Sequence, residues 1–167
     1  RLVAAGADID IKALKDSEIR FVEAGANGTD SDGTVLFGAL SNALADVPPE
    51  RVGGAILITD GVVHDIPAKV AALGFSAPIH ALITARSPHG PADGAGVVAH
   101  ARSHDLVEWE VLPPLNAPGE FAQVEVPQLV QLDGHWLLLV SCQAADHSQQ
   151  RRQRLRRALR ILRDRGR

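Results

Sequence analysis

The pattern of apolar and polar positions predicts an α/β region in the first half of the chain. Residues 19–23 alternate as a half-buried strand does, and residues 36–47 repeat apolar side chains at helical spacing. Residues 55–59 form a continuous apolar run, which is typical of a strand covered on both faces. A short helix over 66–73 and a strand over 79–84 follow. This alternation predicts βαβ crossovers, and therefore a partial Rossmann-like parallel sheet.

The second half shows strand patterns without a helical period. Short strands are predicted at 97–101 and 109–112. Longer strands at 124–132 and 135–141 flank Asp133-Gly134, a dipeptide that is typical of a tight hairpin turn. Together these strands predict an antiparallel β meander.

The end of the chain has the pattern of a basic amphipathic helix over 149–167. This segment holds nine basic residues and one acidic residue, whereas residues 1–148 hold eight basic and nineteen acidic residues. The net charge of −3 therefore combines an acidic body with a strongly basic tail. No aromatic residue lies among the arginines to stack on bases, so we expect a solvated tail and no specific nucleic-acid partner. A helix that binds nucleic acid or anionic lipid is the alternative.

These patterns divide the chain into a partial α/β domain over 1–84, a β segment over 85–146 and an Arg-rich helical tail over 147–167. Hydrophobic residues make up 46%, which suffices for a packed core. The single cysteine, Cys142, excludes an internal disulfide bond. No apolar run is long enough to span a membrane and no secretory signal opens the chain, so we expect a cytoplasmic location. Because the chain starts at Arg1 and has no methionine, we expect a fragment.

Two loops carry the candidate chemistry of the first half. Asp60 follows the apolar run 55–59 at the predicted carboxyl edge of the sheet, where open α/β sheets bind ligands. Thr34 ends the polar segment 30–34. The hydroxyl of Thr34 and the carboxylate of Asp60 are hard oxygen ligands, so the pair is a candidate Mg²⁺ site. The alternative is that Asp60 caps a turn and Thr34 caps the helix that follows it.

The strings "DGTVLFGAL" and "LADVPPERVGGAILITDGVVHDIP" resemble von Willebrand factor A-type domains of proteobacterial membrane-anchored proteins. The resemblance covers residues 1–84 and implies a metal-dependent adhesion site that binds a protein ligand. It assigns Thr34 and Asp60 as metal ligands. The family's Asp-x-Ser-x-Ser loop is absent from this sequence, so three of the five ligands are missing and we expect a weak Mg²⁺ site.

A different resemblance covers residues 83–143. The segment "ARSHDLVEWE", followed by "EVPQ" and "DGHW", resembles the five-bladed propeller glycoside hydrolases of the β-fructofuranosidase and levanase group. This implies partial propeller blades, a carbohydrate substrate with a β-fructosidic or similar bond, and no required cofactor. The resemblance makes Glu125 the catalytic acid/base. We read Asp105 as a turn residue and Trp109 as a packed aromatic side chain.

The chemistry expected of Glu125 needs partners that this sequence lacks. A retaining glycosidase uses two carboxyl groups about 5–5.5 Å apart, one as nucleophile and one as acid/base. Val124 and Val126 flank Glu125, so we expect the partial burial that a general acid requires. The family's nucleophile motif and its Arg-Asp-Pro motif are absent, so we expect no hydrolysis. The alternative is that Glu125 is an ordinary strand residue.

The two resemblances meet within residues 78–86, which fit the end of the first family's strand and the start of the second family's segment. We therefore expect a chimera of two truncated genes. A genuine but degraded fusion is the alternative.

Overall fold

Strands dominate the computed structural model, which describes residues 17–24, 34–59, 61–89, 91–133, 135–143, 145 and 147–156. Its elements in chain order are helix α1 (Leu36–Ala43), strands β1 (Ala55–Thr59), β2 (Ile79–Arg86), β3 (Gly96–Ser103), β4 (Glu110–Leu112), β5 (Glu125–Leu132) and β6 (His135–Ser141), and helix α2 (149–156). Short 3-10 turns lie at Pro49–Arg51, Val70–Leu73 and Ala92–Gly94.

The strands form two sheets. The larger sheet has the order β1-β2-β3-β4, and the smaller is the hairpin of β5 and β6. Strands β1 and β2 are parallel, with Ala55 opposite Ile79, whereas β3 and β4 are antiparallel, with Ala101 opposite Val111. The hairpin is antiparallel, and Asp133 in its turn has a positive φ of 48°. Such a conformation is what short hairpin turns require, and Asp tolerates it.

The predicted Rossmann-like α/β fold is wrong. Such a fold needs helices on both faces of a parallel sheet, but the described residues contain only the two short helices α1 and α2. Residues 66–73 form only a 3-10 turn at Val70–Leu73, which ends at Gly74 in the left-handed conformation. The predicted meander of partial propeller blades is also wrong, because β3 and β4 extend the sheet of β1 and β2. Only β5 and β6 form a separate pair.

Most individual strand predictions are nevertheless confirmed. The strands predicted at 55–59 and 135–141 have these bounds, and the other predicted β-segments after residue 78 lie within two residues of theirs. The strand predicted at 19–23 is wrong, because residues 18–24 adopt no regular structure. The predicted C-terminal helix is present over 149–156, and residues 157–167 lie outside the described part.

The described residues divide into two compact units. The first takes residues 17–83 and 100–112, and the second takes residues 84–99 and 113–156. Strands β2 and β3 each contribute residues to both units. The division predicted from the sequence, at 84/85 and 146/147, stays a prediction.

The core of the first unit lies between α1 and one face of β1 and β2. Ala55 and Leu57 point into it, while Ile56 between them is exposed, as the two-residue period of a strand requires. Helix α1 contributes Phe37 to the same cluster. The buried members are Phe37, Ala55, Leu57, Val70, Phe75 and Ile79.

In the second unit, the chain after residue 112 packs back against the start of β3. The amide of Leu115 donates to the carbonyl of Val98 at 2.9 Å, and the amide of Gly96 donates to the carbonyl of Phe121 at 2.8 Å. Val98 and Leu115 are fully buried, and Val124 is nearly so. This packing fixes the chain directly before Glu125.

Candidate functional site

Glu125 lies at an irregular start of strand β5. The preceding Val124 is only 2% exposed and Pro127 is buried, whereas Glu125 and Val126 between them are exposed. The ladder with β6 shifts its register between Glu125 and Gln128, and Val126 has a positive φ of 46°. Such bulges redirect side chains. The expected partial burial of Glu125 is therefore wrong, because the bulge presents its carboxylate to solvent.

A groove of about 320 Å³ adjoins this bulge. Glu125 precedes one lining residue, Val126, and stands opposite another, Ser141, in the β5–β6 ladder. The side-chain amide Nε2 of Gln123 donates a hydrogen bond of 2.7 Å to Glu125 Oε1. The residues that line the groove are Val126, Gln128, Leu139, Val140 and Ser141. The groove therefore combines uncharged hydrogen-bonding side chains with aliphatic surface, and Glu125 is next to two of its lining residues by sequence and register.

The other described carboxylates of the second unit either contact other groups or lie in a turn. Asp93 Oδ2 accepts the amide of Gln149 at 3.1 Å. Glu120 forms ion pairs with Arg151 and Arg154, and Asp133 lies in the hairpin turn. Among the described residues of this unit, Glu125 is thus the carboxylate that adjoins the groove. This arrangement does not assemble the two-carboxylate pair of a retaining glycosidase.

Asp105 is a turn residue, as predicted. Its Oδ1 accepts the amides of Val107 and Glu108, both at 2.8 Å, and it also contacts the hydroxyl of Ser103. These backbone hydrogen bonds hold the pKa of the Asp105 carboxyl below its usual value. Trp109 is 38% exposed, so its predicted packing is wrong.

Thr34 lies beside the loop that follows β1. It forms an isolated parallel bridge with Val63, and its carbonyl accepts the amide of His64 at 3.2 Å. Asp60, the other predicted Mg²⁺ ligand, lies outside the described residues. Thr34 suits Mg²⁺ by donor type, and the pairing of Thr34 with Asp60 stays a prediction. No three His, Cys, Asp or Glu residues come together as a potential metal site in the described part of the chain.

Asp65, which the sequence analysis missed, holds the start of α1. Its carboxylate accepts the amide of Leu36 at 2.8 Å and that of Gly38 at 2.6 Å. Burial acts to raise the pKa of Asp65, but the hydrogen bonds from Gly38, Phe37 and Leu36 outweigh it and lower the pKa. The residue that precedes α1 provides no side-chain cap. The cap that the alternative interpretation assigned to Thr34 is instead provided by Asp65, which is distant in the chain.

Helix α2 is anchored by its own arginines. Ser148 accepts the amide of Arg151 at 3.1 Å, as an N-cap does. Arg151 and Arg154 both pair with Glu120, and the Arg151 guanidinium lies 4.4 Å from the centroid of the Phe121 ring. These arginines bind the protein itself. No helix within the described residues has the length and apolar surface to cross a bilayer.

Comparisons with protein-family models, curated proteins and solved structures found no match to this chain. The two family resemblances and the predicted gene chimera therefore stay predictions.

Proposed function

We propose that residues 83–143 are related to the β-fructosidase-type hydrolases and hold a carbohydrate with a β-fructosidic or similar bond at Glu125, without cleaving it. The observation that carries the proposal is that the exposed Glu125 is next to Val126 and opposite Ser141, two residues that line the groove. A carboxylate accepts hydrogen bonds from neighbouring hydroxyls, and the side chains of Gln128 and Ser141 can both donate and accept them. The aliphatic side chains of Val126 and Leu139 suit the C–H face of a sugar ring.

The expected absence of cleavage follows from the carboxyl groups that the described residues of the second unit provide. Double displacement needs a nucleophile and an acid/base on opposite sides of the glycosidic bond. Asp93, Glu120 and Asp133 are each placed elsewhere in the second unit. Glu125 alone can bind and orient a hydroxyl, but it cannot form and hydrolyse a glycosyl-enzyme intermediate.

Calorimetric titration of the full chain with sucrose and with levan oligosaccharides tests this proposal. We expect weak binding that Glu125→Gln abolishes. Glu50→Gln, which changes an exposed carboxylate on the turn Pro49–Arg51, is the matched control and should leave binding unchanged. Equal binding by the wild type and Glu125→Gln would exclude a role for this carboxylate. Release of fructose would show that the chain is catalytic and overturn the proposal.

A metal-dependent protein-binding module is the second candidate function. The bridge between Thr34 and Val63 favours it, because it pairs one predicted ligand with a residue that comes three positions after the other in the sequence. Bound Mg²⁺ would supply a positive charge for an acidic group of a protein ligand. Calorimetry with Mg²⁺ should show heat for the wild type and none for the Thr34→Ala, Asp60→Ala double variant. Equal heats would refute this candidate.

A further inference from the structure

The two outer strands of the larger sheet differ in how well they are protected against pairing. Strand β4 has only three residues, carries Glu110 and is followed by Pro113 and Pro114. Short length, charge and proline are the means by which natural proteins protect a sheet edge. Strand β1, at the opposite end of the sheet, has five residues and contains neither charge nor proline. Among the residues that the structure describes, no strand pairs with the outer edge of β1, so this edge can accept another strand.

The sequence of β1 is close to a palindrome around Leu57. It reads Ala55-Ile56-Leu57-Ile58-Thr59, with an isoleucine on either side of the central leucine. If two copies pair antiparallel about a two-fold axis at Leu57, Ile56 of each copy stands opposite Ile58 of the other. A two-fold interface requires this kind of self-complementarity. Cross-strand pairs of β-branched residues are also favourable.

The exposure of Ile56 and the absence of charge on β1 favour a second copy of the chain as the partner of this edge. Ile56 is 46% exposed, on the face of β1 opposite the core residues Ala55 and Leu57. No charge lies on β1, so a second copy brings no like charge against it. Pairing of β4 with its own copy would instead bring Glu110 close to another acidic strand. Charge therefore favours β1 over β4 for self-association.

We propose that the chain forms a two-fold dimer in which the β1 strands of two copies pair antiparallel through their outer edges. In a sheet, alternate residues of an outer strand direct their N–H and C=O groups away from the neighbouring strand. The dimer satisfies these groups and joins two four-stranded sheets into one. Because β4 at each far end is protected, the assembly stops at two copies.

Sedimentation equilibrium of the full chain over a wide concentration range tests the dimer. The apparent mass of the wild type should rise with concentration and level off at twice the mass of one chain. Ile56→Lys places a charge on β1, the strand that pairs in the dimer, and should keep the chain monomeric. Val111→Lys on β4, at a position 80% exposed, and Leu139→Lys on β6 are matched controls that should still dimerise. A monomeric wild type, growth beyond two copies, or loss of the dimer in either control would overturn the proposal.

Hydrogen exchange on the wild type checks the same edge without a substitution. Amides of Ala55–Thr59 should gain protection as the concentration rises, whereas those of Glu110–Leu112 should not. Circular dichroism verifies that Ile56→Lys is folded, and Ile56→Thr, which keeps the β-branch, provides a milder second variant. We expect Ile56→Thr to weaken the dimer severalfold. Protection that is independent of concentration at β1 would contradict the proposed interface.

Discussion

Nδ1 of His80 and Nε2 of His100 lie 2.8 Å apart across the neighbouring strands β2 and β3. A hydrogen bond at this distance needs one nitrogen to carry a proton and the other to accept it, so the pair is stable with both rings neutral. His100 is only 5% exposed. Burial, followed by the charges of Arg102 and His104, lowers the pKa of His80. Burial, followed by His80 and Arg102, lowers the pKa of His100.

The first prediction is that the free energy of unfolding falls as the pH drops below about 6.5, the ordinary pKa of histidine. The unfolded chain takes up protons there before the folded chain does, because both folded-state pKa values are lowered. Stability therefore rises with pH across this range. Urea unfolding at a series of pH values should show a smaller slope for His100→Gln than for the wild type. His104→Gln, at an exposed position, should keep most of the wild-type slope.

The second prediction concerns the contact between Asp65 and helix α1. Asp65→Ala leaves the amides of Leu36 and Gly38 without their acceptor and should reduce the free energy of unfolding by about 1 kcal/mol. His64→Ala changes the exposed neighbour and should have an effect within about 0.5 kcal/mol. Chemical unfolding at neutral pH measures both. Equal stabilities of Asp65→Ala and the wild type would show that this cap is dispensable.

The pH dependence of that difference provides a separate check. The folded-state pKa of Asp65 is lowered, so its contribution is complete above the ordinary carboxyl pKa of 3.8. It is lost as the pH falls through the lower folded-state value. The difference between wild type and Asp65→Ala should therefore shrink in acid.

Local patterns predicted the strands well and their arrangement poorly. The apolar run of β1 and the hairpin turn at Asp133 between β5 and β6 are short-range features, and both elements form where expected. The partner of β3 is decided by which strand edges meet in the folded chain, which periodicity does not encode. Residues 19–23 alternate as a strand does, but residues 18–24 adopt no regular structure. Alternation alone does not establish a strand.

The candidate site shows the same limit. Sequence reasoning singled out Glu125, but its exposure depends on the bulge between Glu125 and Gln128, which flanking valines do not reveal. Asp65 was not singled out, because its role requires helix α1, almost thirty residues earlier in the chain. Likewise, His80 and His100 are twenty residues apart and meet only through the order of the sheet. Contacts between distant segments were thus the part that could not be predicted.

The third prediction compares two glycines. A Cβ on Gly96 would lie 2.8 Å from the backbone of Gln123, so Gly96→Ala should destabilise the protein by about 1–3 kcal/mol. A Cβ on Gly53 meets nothing within 4 Å, so Gly53→Ala should stabilise the protein by about 0.4–1 kcal/mol through the unfolded state. Thermal unfolding ranks the two variants against the wild type. A Gly96→Ala variant as stable as Gly53→Ala would mean that the chain does not approach β3 this closely.

The fourth prediction concerns the attachment of helix α2 through Glu120. This carboxylate pairs with both Arg151 and Arg154, so Glu120→Gln removes the charge that both guanidinium groups share. The helix should open more often, and trypsin should cleave after the arginines of residues 151–156 roughly threefold to tenfold faster. Glu110→Gln, which breaks the ion pair with Arg102 in the first unit, is the matched control and should leave this cleavage rate unchanged. Mass spectrometry of timed digests identifies each cleavage site. Identical rates in Glu120→Gln and the wild type would show that other contacts, such as the Ser148 cap, suffice to hold the helix.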